Sequence, residues 1–179
     1  RGYFVAASRI DQRLQTLTSF TEEVRRSGRK ASSVVLAART IAVPEDVAGP
    51  LGLKAGDRVH HLLRLRQADG APVALESAHV PETLAPGLLD AADFATESLY
   101  STLKRAFGIL PVEAENTFES APAAASDATI LDVAVGAPVL RMTRLSLAAD
   151  GRPIEFVQSV YRGDRFTMRV RLAPGSADA

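Results

Sequence analysis

Residues 59–80 read Val-His-His-Leu-Leu-Arg-Leu-Arg-Gln-Ala-Asp-Gly-Ala-Pro-Val-Ala-Leu-Glu-Ser-Ala-His-Val, and this stretch decides the fold. Apolar and polar residues alternate in both arms, and Asp69-Gly70 sits between them. Period-two alternation around an Asp-Gly pair is the pattern of a β-hairpin. A two-residue loop of Asp69 and Gly70 sets Leu65 opposite Ala74 and Leu63 opposite Glu76. A three-residue loop of Ala68, Asp69 and Gly70 sets Leu65 opposite Val73 and Leu63 opposite Leu75, with Gly70 in the left-handed conformation. The second register matches apolar to apolar and is the one expected. Leu63, Leu65, Val73 and Leu75 then share one face, and Arg64, Arg66, Ala74 and Glu76 the other. Two guanidiniums and a carboxylate on a rigid hairpin suit an anionic ligand that also carries hydroxyl or amide groups. The same pattern describes a solvated ion-pair face, which contributes little.

The hairpin belongs to a repeat. Shifted by 80, Leu51 meets Leu131, Gly56 meets Gly136, Val59 meets Val139, and Arg64-Leu65 meets Arg144-Leu145. After one extra residue, Asp69-Gly70 meets Asp150-Gly151, Pro72 meets Pro153, and Val73 meets Ile154. Each unit reads as strand, short helix, glycine turn, hairpin. Two units make an antiparallel sheet of about six strands with flanking helices, an internally duplicated α+β domain with a natural cleft between its halves.

Around these units the remaining elements follow. Ser19 and Glu22 form a capping box, Arg25 and Arg26 fall in a last turn, and Gly28 follows, which predicts a helix from Phe20 to Ser27. Its first N–H groups, at Phe20 and Thr21, suit an anion, although Ser19 and Glu22 serve equally as a cap alone. A strand is expected over 33–42, and a short helix opened by Pro44. Ser98 begins a helix to Phe107, with Leu99, Leu103 and Phe107 spaced by four and Gly108 as the stop. Residues 112–120 read as a strand, 121–131 as a helix, 139–147 and 154–160 as the second hairpin, and Phe166 to Leu172 as a last strand. Residues 5–16 are polar and read as a linker.

Composition bounds the function. The 179 residues are 46% hydrophobic and 23% charged, with 21 basic and 21 acidic side chains. That is a globular balance without a broad nucleic-acid footprint. Cysteine is absent, which removes disulfides, thiolate catalysis and cysteine-based zinc sites and fits a reducing cytoplasm. No apolar run approaches a membrane span, and no signal peptide opens the chain.

Four groups of residues are candidates to converge: the helix start at Phe20 and Thr21, the Arg64/Arg66/Glu76 face, the helix start at Ser98 and Tyr100, and Glu155 with Tyr161. A four-residue loop in the second hairpin pairs Leu145 with Ile154 and sets Glu155 opposite Arg144. Arginines, hydroxyls and helix-start amides suit phosphate, and two carboxylates suit sugar hydroxyls or an amine. Edge packing for Tyr161, a helix cap for Ser98 and an ion pair for Glu155 are the bland alternatives. Nothing points to catalysis or to a metal. His60 and His61 face opposite sides of one strand, and His79 reads as a strand-end surface residue. No serine sits in a nucleophile turn, and no glycine-rich phosphate loop precedes a helix. Glu76 and Glu155 would make an acid–base pair, but beside two arginines both pKa values are expected to be depressed, which favours binding over proton transfer.

The motifs together resemble a family. Thr18-Ser19-Phe20-Thr21-Glu22-Glu23, Arg64-Leu65-Arg66, Asp69-Gly70-Ala71-Pro72, Glu76, Ser98-Leu99-Tyr100, Pro153-Ile154-Glu155 and residues 159–166 follow in order and spacing. They resemble the UTRA effector-binding domain of HutC-type transcriptional regulators in the GntR superfamily. Gly2-Tyr3-Phe4-Val5 is similar to the end of those regulators' DNA-binding wing. The resemblance implies a chorismate lyase-like fold, with 1–16 as wing end and linker, 17–172 as the effector domain and 173–179 as a polar tail. It implies a homodimer that is not an enzyme and needs no cofactor, acting on operator DNA through an N-terminal winged helix-turn-helix domain. In members responding to amino-sugar phosphates such as N-acetylglucosamine 6-phosphate or glucosamine 6-phosphate, the matching positions are Phe20, Thr21, Arg64, Arg66, Ser98 and Tyr100 for phosphate. Glu76, Glu155 and Tyr161 match the sugar contacts. Other members take other effectors, and a small lyase-like or sugar-phosphate enzyme on the same fold is the alternative.

Overall fold

A computed structural model describes residues 9–13 and 17–170. Residues 1–8, 14–16 and 171–179, which carry most of the expected wing and linker, the expected tail and the end of the last expected strand, lie outside the described residues. The first repeat unit is β2 (Ala31–Ala42), α2 (Glu45–Leu51), β3 (Arg58–Ala68) and β4 (Ala71–Pro81). The second is β5 (Glu113–Pro122), α4 (Ala125–Leu131), β6 (Pro138–Leu147) and β7 (Pro153–Arg162). Between them run a short 3-10 turn, Leu88–Asp90, and α3 (Leu99–Phe107). The six strands form one antiparallel sheet in the order β2-β3-β4-β7-β6-β5. In that order the two units run in opposite sense across the sheet and meet at β4 and β7.

Before the first unit come β1 (Ile10–Arg13) and α1 (Phe20–Arg26); after the second comes β8 (Phe166–Arg169). β1 pairs in parallel with β8 as a separate two-stranded sheet. This corrects the linker reading for 10–13: Ile10 is fully buried against Phe20, Val24 and Phe166, so one apolar residue anchors an otherwise polar segment. The strand expected over 112–120 extends to Pro122, which shortens the following helix to Ala125–Leu131.

Both hairpins contain a bulge that sequence pairing alone did not show. Asp69 and Gly70 form a two-residue turn, both at positive φ (51° and 77°), the backbone twist that suits a tight hairpin. Ala68 then pairs with Ala71 and Gln67 with Pro72, but Arg66 pairs with Ala74, leaving Val73 as the extra residue. In the second hairpin Leu147 pairs with Pro153 and Ser146 with Glu155, leaving Ile154 extra. The bulges fall at equivalent positions of the repeat, each just after a proline that has no N–H to give the ladder. Leu65 therefore pairs with Leu75, Arg64 with Glu76, and Leu145 with Phe156. The expected registers are off by two residues in each hairpin. An even shift preserves the faces, so Arg64, Arg66, Ala74 and Glu76 still share one side. Val73 is the exception: it packs with Ala68 and Ala74 under α1, away from the leucines.

Helices cover both faces. On the arginine face, Phe20 and Val24 of α1 pack on Ala68, Val73, Ala74, Met142 and Tyr161. On the same face, Leu99 and Leu103 of α3 pack with Leu88 and Phe94 on Leu62, Ala78 and Val157. On the leucine face, Val47 and Leu51 of α2 cover Val59 and Phe156, and Ala128 of α4 covers Val139. The side expected to be most polar is thus the more enclosed one. Arg64 and Arg66 are each 3% exposed, while Leu63, Leu65 and Leu75 are only half-buried.

Candidate functional site

The cleft lies on the centre of the arginine face, between the starts of α1 and α3. Local sequence explains both helix starts. Ser19 Oγ accepts from the Glu22 N–H (3.3 Å) and Glu22 Oε2 accepts from the Ser19 N–H (2.8 Å), the reciprocal cap expected from the motif. Ser98 Oγ accepts from the Ser101 N–H (3.4 Å), and Gly108 ends α3 in the left-handed conformation. Across the floor, Arg64, Glu76, Ser159 and Met142 occupy one row of paired positions, and Arg66, Ala74, Tyr161 and Leu140 the next.

The cleft is open to solvent, and its empty space, open solvent included, is about 450 Å³. Phe20, Arg64, Arg66, Glu76, Ser98, Tyr100, Glu155 and Tyr161 all line it, so residues far apart in sequence come together as expected. Thr21 is the one member of the expected set that does not line the wall. It lies behind, where its hydroxyl accepts a hydrogen bond from Arg66 Nη2 at 3.0 Å. The Phe20 ring covers the same guanidinium at 4.5 Å, a cation–π contact. Two residues of α1 therefore fix Arg66 in place.

The charges are arranged unevenly. Glu76 Oε1 accepts from Arg64 Nη2 at 2.5 Å and lies 3.6 Å from Arg66 Nη1. Burial raises the Glu76 pKa, but Arg66 and then Arg64 outweigh burial and hold it below the ordinary carboxylate value. Burial lowers Arg66 to about 10, opposed by Glu76. Nε and Nη1 of Arg64 and of Arg66 are buried without a hydrogen-bond partner. Unmade bonds of this kind cost about 1–3 kcal/mol each, so the cleft holds donors ready for an acceptor. The alternative of a solvated ion-pair face is excluded by this burial.

Glu155 sits in a different environment. The register places it opposite Ser146, not Arg144, because the bulge at Ile154 moves it along the strand. Ser146 Oγ donates to Glu155 Oε2 (3.0 Å) and lies 2.8 Å from the Tyr100 hydroxyl, linking helix α3 to the floor. Burial and the nearby Glu76 charge raise the Glu155 pKa, against Arg144, which corrects the depressed value expected for this carboxylate. Burial pushes the Tyr161 phenol up to about 12 and raises the Tyr100 phenol as well. Both phenols are therefore protonated at neutral pH; Tyr100 gives its proton to Ser146 Oγ, whose own proton goes to Glu155.

Arg144 also lines the cleft and was not among the expected site residues. It donates to Asn116 Oδ1 (2.8 Å) and to the Thr18 carbonyl (3.2 Å), tying the approach to α1 onto the sheet. The signal was present in the repeat, where Arg144 is the counterpart of Arg64. Ser19, Leu99, Met142 and Val157 complete the wall. His79 differs from expectation: it is 4% exposed and stacks on His61 at 4.7 Å, on the opposite face of the sheet. His60 is buried and bonded to Thr40 and the Ala85 carbonyl. Among the described residues no helix is long and apolar enough to cross a membrane.

Comparisons with known proteins agree with this architecture. A family model described as "UTRA domain" matches residues 26–167. The chain is 36% identical over 167 residues to the HTH-type transcriptional repressor NagR of Bacillus subtilis, covering 93% of this chain and 68% of that protein. It is 33% identical over 167 residues to the HTH-type transcriptional repressor PhnF of Mycolicibacterium smegmatis, covering 93% and 67%. The crystal structure of the PhnF effector domain superposes with a TM-score of 0.85 at 32% identity, covering 92% of this chain and 100% of that one. These relatives are transcriptional repressors, not enzymes. The chain belongs to the UTRA family, as an effector domain of a GntR/HutC-type transcriptional regulator.

Proposed function

We propose that this domain senses a phosphorylated amino sugar of the N-acetylglucosamine 6-phosphate or glucosamine 6-phosphate type. The observation that carries the reading is the set of unpaired, buried donors on Arg64 and Arg66, in one cleft with Glu76, Glu155 and two protonated tyrosines. Arg64, Arg66, Ser98, Tyr100 and the backbone amide at Phe20 hold the phosphate, with Thr21 acting from behind through Arg66; fixed guanidiniums suit its several oxygens. Glu76, Glu155 and Tyr161 meet the sugar, where carboxylates accept from hydroxyls or an ammonium group.

The domain acts as a homodimer in the cytoplasm and passes ligand occupancy to operator DNA through an N-terminal winged helix-turn-helix domain. Ligand binding changes operator affinity only through a difference in affinity between two arrangements of the dimer. A thermal-shift screen of sugar phosphates tests the reading, because a ligand that binds the folded state raises its melting temperature. Glucosamine 6-phosphate or its N-acetyl form should give the largest shift. A larger shift with a phosphate-free ligand would refute the phosphate assignment. Light scattering should give a dimer mass at tens of micromolar; a monomer mass would remove the dimer.

A further inference from the structure

We propose that Glu76 is a built-in competitor for the anion subsite, so that a ligand must displace it from Arg64 and Arg66 and then offer it a new donor. The inference rests on the phosphate reading above and adds what the subsite selects. One oxygen of Glu76 serves both arginines, at 2.5 Å and 3.6 Å. The pairing is built into the sheet, because Arg64 and Glu76 are directly opposed on β3 and β4. Arg66 is fixed independently of it, by Thr21 and the Phe20 ring, and the Phe94 ring lies 6.0 Å from Arg64. Glu76 therefore occupies a preformed dication while leaving Nε and Nη1 of each arginine unsatisfied.

The exchange favours some anions over others. A ligand carboxylate brings the same charge and the same two oxygens as Glu76. Binding it would gain nothing at the arginines and leave Glu76 buried without a partner, which is costly. A phosphate monoester dianion brings twice the charge and three free oxygens, enough to reach donors that Glu76 leaves unmet. The released Glu76 still needs a donor inside the cleft, and a hydroxyl or ammonium group on the same molecule supplies one. The subsite thus selects a dianionic phosphate and a neighbouring donor on one ligand, and holds bare phosphate weakly. This gives Glu76 two successive partners, the arginines and then the sugar.

The test is calorimetric titration of the 179-residue chain with inorganic phosphate, in wild type, Glu76→Gln and Glu76→Asp. Inorganic phosphate has no sugar donor, so removing the competitor should only help it. Glu76→Gln should bind it at least ten-fold more tightly than wild type. Glu76→Asp keeps a charge in the cleft to balance the arginines but draws it back by one methylene, and should give a smaller gain. The aspartate variant keeps the test decisive if the glutamine variant does not fold. Wild type that binds phosphate, with variants that bind it no more tightly, would overturn the competitor role and leave the phosphate reading standing. Failure of wild type and variants alike to bind phosphate would defeat both.

Discussion

Replacing Arg64 by alanine separates ligand binding from folding. Arg64 is 3% exposed and gives one hydrogen bond, from Nη2 to Glu76, while Nε and Nη1 are buried without hydrogen-bond partners in a residue that lines the cleft. A bound phosphate therefore gains charge-assisted hydrogen bonds at this residue. One such bond contributes about 1.5–3 kcal/mol, equivalent to roughly a ten- to hundred-fold loss of affinity when it is removed. Folding should suffer less than removal of a sole partner from a buried pair, which costs about 3–5 kcal/mol. Glu76 keeps Arg66 as a neighbour at 3.6 Å. The truncation also removes two unpaired donors, which offsets part of the loss. A destabilisation on the order of 1–2 kcal/mol is expected, with the folded state retained. Calorimetric titration with glucosamine 6-phosphate measures the first quantity and urea unfolding the second. A folded Arg64→Ala chain with wild-type affinity would remove Arg64 from the site and with it the argument from unpaired donors.

Three further outcomes are expected. Glu155→Gln keeps the shape but turns one acceptor into a donor, so glucosamine 6-phosphate should bind several-fold more weakly while inorganic phosphate binds as before; equal losses for both would place Glu155 at the phosphate instead. Ser19→Ala removes the acceptor for the Glu22 N–H and half of the capping box, and should cost about 1 kcal/mol by thermal unfolding; an unchanged midpoint would show the cap contributes nothing here. The third concerns pH. Burial, and next His61, depress His79 to about 4, opposed by Asp46 and the Phe156 backbone. Between about pH 6.5 and 4 the unfolded chain binds a proton at this histidine that the folded chain does not. Stability should therefore fall as pH drops through that window, by up to about 3 kcal/mol from this group. His79→Asn should lose that part of the slope in urea melts at pH 7 and 4.5, and a slope unchanged from wild type would assign it elsewhere.

What could be read from sequence here was what local chemistry controls. Alternation in residues 59–80 set which side chains share a face, and the repeat set the number of strands in the main sheet, while their order came from the structure. Ser19 with Glu22, and Ser98 with Gly108, marked helix ends because caps use neighbouring residues. The convergence of distant site residues came from the family motifs rather than from any periodicity. Sequence pairing went wrong by two residues in each hairpin. A bulge depends on how the prolines at 72 and 153 break the ladder, and apolar matching does not register a break. Only the tertiary structure decided which face was enclosed. Leucines on one side and arginines on the other suggest a core beneath the leucines, but α1 and α3 dock over the arginines and bury them. The same packing removed Thr21 from the cleft wall, added Arg144 to it, and fixed Glu155 against Ser146. Likewise His61 on β3, stacked on its ring, and Phe156 on β7, its other paired neighbour, flank a strand-end histidine, His79, that is buried. Burial is a property of what packs on a residue from elsewhere in the chain, and no alternation along its own strand encodes it.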